Sequence, residues 1–248
     1  MKTDSEIARA AEIISTSKHT TVFTGAGISV ESGIPPFRGE NGLWSKYNPK
    51  FLEIDFFYSH PLESWKVIKE IFYDFFGIAK PNDAHQIIAD LERNNIVKVV
   101  ITQNIDNLHQ EAGSKIVYEF HGNSQQLICT NCKTLYNAKE INLENIPPLC
   151  QKCNNLLKPD FVFFGEGIPE FAYQKSLNEA NMADVFLVIG TTGEIMPACM
   201  MPQFAKQNGS KIIEINTEPS SYTYSITDIF LNGKATDLMQ KIHQLIKE

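Results

Sequence analysis

Four cysteines carry the plainest chemical signal in this 248-residue chain. Cys129-x2-Cys132 is followed, after 17 residues, by Cys150-x2-Cys153, the two-knuckle spacing of a structural zinc site. Four thiolates complete a tetrahedral shell and leave no open position for a catalytic water, so a bound Zn2+ is expected to be structural. A redox CxxC is the other use of such a pair, but it would leave the second pair unexplained. Cys199 has no partner at useful spacing and is expected in the core. A second set of residues can hold a nucleotide. Gly25-Ala26-Gly27, with Ser29 two residues on, follows an apolar run; glycines there let the backbone approach a pyrophosphate, and a following helix start offers N–H groups. The GxGxxG pattern is incomplete, because Val30 stands at its third glycine, and a tight turn needing positive φ would use the same residues. His121 is the candidate base, since an imidazole titrating near pH 6.5 is neutral at physiological pH and can accept a proton. Asn104 and Asp106 share one turn, where the carboxylate can accept from a carboxamide N–H and the amide can bond a ribose or a water. The same turn also suits a helix cap. Phe37 can cover a reactive face, and Arg38 can pair with phosphate.

The order of these blocks resembles the sirtuin family of the bacterial and archaeal type. Gly25-Ala26-Gly27-Ile28-Ser29, Ser32-Gly33-Ile34-Pro35, Phe37-Arg38-Gly39 and Asn41-Gly42-Leu43-Trp44 resemble its first signature. Gln103-Asn104-Ile105-Asp106 and His121-Gly122-Asn123 look like the second and third. Gly190-Thr191-Thr192 is similar to the phosphate loop, Asn216-Thr217-Glu218 to the ribose-binding turn and Gly233-Lys234-Ala235 to the last adenine contact. The likeness runs from about Thr20 to Ala235.

The resemblance implies an NAD-dependent protein-lysine deacylase. In that family the acyl oxygen of a modified lysine attacks the anomeric carbon of the nicotinamide ribose and nicotinamide departs. A histidine then deprotonates a ribose hydroxyl, which attacks the resulting alkylimidate, so that NAD is consumed and free lysine and O-acyl-ADP-ribose are released. Carried over, His121 is the base and Asn104 and Asp106 organise ribose and nicotinamide. The implied NAD contacts are Gly25, Ala26, Gly27, Ser29, Ile34, Pro35, Phe37, Arg38, Trp44, Gln103, Asn104, Ile105, Asp106, Gly190, Thr191, Thr192, Asn216, Thr217, Glu218 and Ala235. The acyl-lysine peptide is implied to lie as an added strand between Phe163-Phe164-Gly165-Glu166 and Glu194-Ile195-Met196-Pro197. Two departures stand out. The helical insertion from Trp65 to Phe76 contains Tyr73 but no arginine to pair with an acidic acyl group, so a neutral acyl is expected. Met196 stands where the family commonly has tyrosine.

These residues need a scaffold that gathers them, and the apolar pattern supplies one. Thr20–Thr24, Val97–Thr102, Ile116–Phe120, Val185–Ile189 and Lys211–Ile215 are short apolar strands, each running into one of the polar turns. Helical patterns lie between several of them, at Asn82–Asn94, Pro169–Asn181, Pro197–Asn208 and from Lys234 onward. This alternation predicts an α/β fold, a Rossmann-like doubly wound parallel sheet with ligands beyond the carboxyl ends of its strands. Residues of about 37–76 and 121–159 break the alternation and are expected to form a smaller module, helical in the first stretch and a zinc ribbon in the second. The larger part is expected at about 1–36, 77–120 and 160–248. The N-terminus reads as an amphipathic helix with Thr3 as its cap and Glu6 in capping-box spacing.

Bulk composition narrows the classes further. The chain is 43% apolar and 21% charged with a net charge of −7, ordinary for a globular protein. No basic stripe marks a nucleic-acid binder; from His121 to Asp160 four lysines against three acids leave only +1. The first residues lack a signal-peptide pattern and no apolar run nears the roughly 20 residues that span a bilayer, so a soluble cytoplasmic protein is expected. An NAD-dependent oxidoreductase would want a ribose-binding acid about 20 residues after the glycine turn, and Glu40 is the nearest candidate. NAD-dependent ADP-ribosyl transfer to a protein is the alternative the same site would support, and a zinc-ribbon adaptor is the reading without catalysis.

Overall fold

The computed structural model describes residues 2–38 and 42–247. Gly39 and Asn41 of the first motif block, and Glu40, lie outside the described residues. The chain begins with α1 (Lys2–Thr16) and β1 (Thr20–Thr24). It continues through α2 (Leu43–Lys46), α3 (Ile54–Ser59) and α4 (Pro61–Ile68) to α5 (Asp83–Arg93) and β2 (Val97–Thr102). Next come α6 (Leu108–Ala112), β3 (Val117–Glu119), β4 (Gly122–Cys129), β5 (Leu135–Asn137) and β6 (Leu157–Phe161). The last part holds α7 (Glu170–Met182), β7 (Val185–Ile189), α8 (Met201–Gln207), β8 (Lys211–Asn216), β9 (Ile229–Asn232) and α9 (Ala235–Lys247).

Six strands form one parallel sheet in the order β3-β2-β1-β7-β8-β9. With β4 to β6 set aside, this is the doubly wound order 3-2-1-4-5-6, whose connections reverse direction between β1 and β7. The strands are apolar throughout because both faces are covered. Val22 and Leu187 pack on one side with Ile7, Ile14, Ile88 and Ile242 of α1, α5 and α9. Their neighbours Phe23, Phe186 and Val188 pack on the other with Ala180 of α7 and Ala205 of α8. Period-2 alternation therefore sends every second residue to a different core. β4, β5 and β6 form a separate antiparallel sheet in the order β5-β4-β6. That sheet shares a third core with the helices of the 43–75 stretch, built on Leu52, Phe57, Trp65, Ile68, Leu127 and Leu157.

Three local expectations change. α1 already includes Lys2, so Thr3 sits inside its first turn rather than capping it. The pattern from Pro197 divides into a 3-10 turn at Ala198–Met200 and α8, whose start carries Pro202, a residue without an N–H that is tolerated only in a first turn. β9 was not expected, since four residues are too few for a periodic signal; it completes the sheet by pairing Ile213 with Ile229. The segment Lys69–Phe75 is π-helical. No helix among the described residues is long and apolar enough to cross a membrane.

Candidate active site

Gly25-Ala26-Gly27, Gln103-Asn104-Ile105, His121, Gly190-Thr191-Thr192 and Asn216-Thr217-Glu218 all line one cavity of about 960 Å³. Five polar turns, spread over nearly 200 residues of sequence, thus meet at one edge. They meet because parallel strands all present their carboxyl ends on the same side. Two glycines are demanded where the loops after β1 and β7 touch. The Gly27 N–H donates to Gly190 O at 2.8 Å, and a Cβ on Gly27 would lie 2.6 Å from Gly190 Cα. Gly190 has φ +65, and a Cβ there would come within 2.4 Å of the Ile28 nitrogen. Neither Gly25 nor Gly27 has positive φ, so close approach and not a tight turn explains Gly27.

His121 follows the end of β3. Its Nδ1 lies 2.9 Å from the Gln103 carbonyl oxygen. A carbonyl only accepts, so Nδ1 carries the proton and Nε2 is the basic atom. Burial lowers the pKa of the imidazole, and the Gln103 contact opposes this less strongly. The ring therefore stays neutral at physiological pH. Next to it, Asn104 is 5% exposed and donates from Nδ2 to Gly25 O at 3.1 Å and to Ser29 Oγ at 3.2 Å. Ser29 donates to Asp106 Oδ2 at 2.7 Å, while Asp106 Oδ1 accepts from the Leu108 N–H at 3.0 Å. Asp106 thus closes the turn that precedes α6, whose cap position is Asn107, and also braces Ser29. Burial raises its pKa against these two bonds.

Phe37, Arg38, Trp44, Ala235, Phe163, Phe164, Gly165, Glu166, Ile195 and Met196 line the same cavity. Ser29, Ile34, Pro35, Asp106 and Glu194 are not among its lining residues. Ile34 is 4% exposed in the third core, and Glu194 lies 3.9 Å from Arg38 with both side chains more than half exposed. Phe164 has its N–H donated to Leu52 O and its carbonyl bonded by the Ile54 N–H, so its own main chain is engaged within the protein. Tyr73 donates its hydroxyl to Ser124 O at 2.9 Å. Sequence reasoning missed Glu31, Leu52, Phe72, Phe161 and Ile168 as lining residues. Glu31 adjoins a recognised block, but the others belong to apolar patterns that look like any core.

Two further histidines form a buried pair behind this site. His85 and His109 are 0% and 1% exposed, with ring centroids 4.8 Å apart. His85 Nδ1 is 3.0 Å from Asn82 Oδ1 and His109 Nε2 is 3.0 Å from Thr24 Oγ1. Burial lowers the His85 pKa from 6.5 to about 4 and lowers that of His109 as well. As pH falls through the unfolded value, the unfolded chain takes up protons that the folded chain refuses, so stability is lost on acidification. A tenfold difference in proton affinity between the two states is worth about 1.4 kcal/mol, so His85 alone should remove about 2 kcal/mol between about pH 7.5 and 5. Urea unfolding of the native protein and of His85→Gln should show the steeper acid loss in the native protein. Equal slopes would refute the pair's role.

The four cysteines gather at one end of the antiparallel sheet, with all Sγ atoms within 4.8 Å of one another. Cys129 and Cys153 Sγ are 3.4 Å apart, Cys132 and Cys150 Sγ 3.6 Å. A zinc–sulfur bond of about 2.3 Å in a tetrahedron puts sulfurs about 3.8 Å apart, so the donor set fits Zn2+. No further His or acidic group joins the cluster among the described residues, which suits a closed structural site.

Comparison with known proteins agrees with this geometry. The model of the Sir2 family matches residues 25–197. A protein named NAD-dependent protein deacylase 2 from Archaeoglobus fulgidus is 44% identical over 250 residues, covering 98% of this chain and 97% of that protein. One of the same name from Pyrobaculum aerophilum is 42% identical over 241 residues, covering 96% and 94%. A solved Sir2 variant with deacetylated p53 peptide and 3'-O-acetyl ADP ribose matches with a TM-score of 0.90 at 36% identity, covering 95% of this chain and 96% of that one. Family model, full-length relatives and shared fold lead to one conclusion: this chain belongs to the Sir2 family.

Proposed function

We propose that the chain is an NAD-dependent protein-lysine deacylase, consuming NAD and releasing nicotinamide, free lysine and O-acyl-ADP-ribose. One observation carries the reading: a half-buried imidazole, its Nδ1–H held by the Gln103 carbonyl, lies in the cavity that all five turns line. NAD, when bound, supplies an anomeric carbon from which nicotinamide can leave. His121 Nε2 takes the proton of the ribose hydroxyl that attacks the acyl carbon. Gly25, Ala26, Gly27, Gly190, Thr191 and Thr192 hold the phosphates and ribose, with Arg38 as a countercharge. Phe37 and Trp44, ring centroids 5.5 Å apart, cover the reacting end, and Gln103, Asn104 and Ile105 form its floor. Asn216, Thr217, Glu218 and Ala235 hold the adenosine end. Ser29, Ile34, Pro35 and Asp106 act from behind, Asp106 through Ser29 and Asn104.

The relative solved with deacetylated peptide and 3'-O-acetyl ADP ribose supports deacylation over ADP-ribosyl transfer to protein. An extended acyl-lysine peptide would meet Phe163 to Glu166 on one side and Glu194 to Met196 on the other, with no nucleic-acid partner. The acyl group is neutral, since the insertion from Trp65 to Phe76 offers no arginine and Leu52, Phe72, Phe161 and Phe163 give the cavity an apolar lining. The residues of about 37–76 and 121–159 form the smaller module and the rest the larger part, a division supported by the separate antiparallel sheet. The chain's place is the cytoplasm.

Incubation with acetyl-lysine peptide and NAD should yield equimolar nicotinamide and O-acetyl-ADP-ribose. NADH would indicate an oxidoreductase instead, and labelled protein a transferase. Matched succinyl peptides should react more slowly than acetyl ones; the reverse order would disprove the neutral-acyl reading.

A further inference from the structure

A buried charge lies directly behind the cavity wall. Lys158, on β6, is 6% exposed and does not line the cavity. Its Nζ donates to Phe161 O at 2.7 Å and Pro159 O at 3.1 Å. It also pairs with Glu166 Oε2 at 2.9 Å and lies 4.2 Å from the centre of the Phe163 ring. Glu166 Oε2 accepts in addition from the Phe163 N–H at 2.8 Å. One ammonium therefore ties together residues 159, 161, 163 and 166. That stretch forms one side of the cavity, and its Val162 N–H donates to His121 O at 2.8 Å.

We propose that Lys158 is a positioning residue for the acyl-lysine peptide, holding Phe163 and Glu166 in the form that receives it; this rests on the deacylase reading above. After β6 the chain from Val162 to Pro169 has no helix or strand of its own, and a single bridge between Phe164 and Glu53 pairs its main chain, so the side chains of Phe163 and Glu166 depend on other contacts. A buried cation persists only where partners replace its water; here two carbonyls of β6 itself, Pro159 and Phe161, anchor the ammonium, and Phe163 and Glu166 of the following segment are held against it. Burial lowers the Lys158 pKa while Glu166 opposes this, in keeping with a charge retained by its pair. Without the ammonium, the Glu166 carboxylate loses its countercharge and the Phe163 ring loses the cation against its face. The adenosine end, formed by the loops after β7 and β8, has no contact with Lys158. Damage should therefore fall on peptide binding and not on NAD binding.

Steady-state kinetics of Lys158→Met, with acetyl-lysine peptide and NAD varied separately, test this. The peptide KM is expected to rise about tenfold, with the NAD KM and kcat changed less than about twofold. Lys158→Arg, which keeps the charge and the donors, should restore most of the peptide affinity. An unchanged peptide KM, or an equal rise in both KM values, would overturn the proposal. Should Lys158→Met fail to fold by circular dichroism, Lys158→Gln carries the same expectation, since its amide still donates to the Phe161 carbonyl but cannot neutralise Glu166. If native protein releases no nicotinamide from NAD with acetyl peptide, the deacylase reading itself fails, a result distinct from either variant outcome.

Discussion

His121→Ala should lower the rate of deacylation by about two to four orders of magnitude, the usual contribution of a positioned general base, while leaving the fold intact. The imidazole lies at the cavity, so its loss removes one hydrogen bond to Gln103 and one edge contact with the Phe120 ring. In the proposed reaction nicotinamide leaves before the step that needs the base, so its release should suffer less than formation of O-acetyl-ADP-ribose. The pH profile offers an independent check. A general base must be neutral to take a proton, and burial lowers the pKa of His121 below the ordinary 6.5. Activity should therefore rise with pH along an acid limb whose midpoint lies below 6.5, then level off. A midpoint above 7, or near-native turnover in His121→Ala, would remove the residue from this role.

Loss of the metal should have the second large effect, although the cysteines touch no reacting atom. Cys129 and Cys150 belong to the third core together with Leu127, Leu157 and Trp65, and Trp65 Nε1 donates to Leu157 O at 2.9 Å. The same core includes Ile105 of the cavity turn, and Ser124 of β4 bonds the Ile105 carbonyl through its N–H and its hydroxyl. Zinc binding to four thiolates is coupled to folding, so Cys150→Ser or chelation should remove several kcal/mol and lower Tm by about 10 °C. Activity should fall with it, because the Ile105 turn loses its support. Cys132 is exposed, which gives a chelator access. Metal analysis, melting curves and turnover on one sample check this; a zinc-free protein with native Tm and turnover would contradict it.

Much of the scaffold was legible in the sequence because a parallel strand buried on both faces is apolar along its whole length. Thr20–Thr24, Val97–Thr102 and Val185–Ile189 stood out for that reason, and their observed bounds coincide with the expected ones. The thiol spacing was equally readable, since a metal shell restricts how far apart paired ligands lie. β9, the split at Met201 and the start of α1 were not, because four residues or a single cap position carry too little pattern.

What the sequence by itself determined was therefore an inventory: which residues have the chemistry, and on which strand ends they fall. Only the tertiary structure decided how they engage one another. It put Gly27 against Gly190 and gave the Nδ1 proton of His121 to a carbonyl 18 residues away. It turned Asp106 toward Ser29 and buried His85 against His109. It also closed Lys158 around its own downstream segment. Periodicity and motif spacing report on neighbours along the chain, whereas proton placement, charge burial and close backbone approach depend on atoms that folding alone brings within bonding distance.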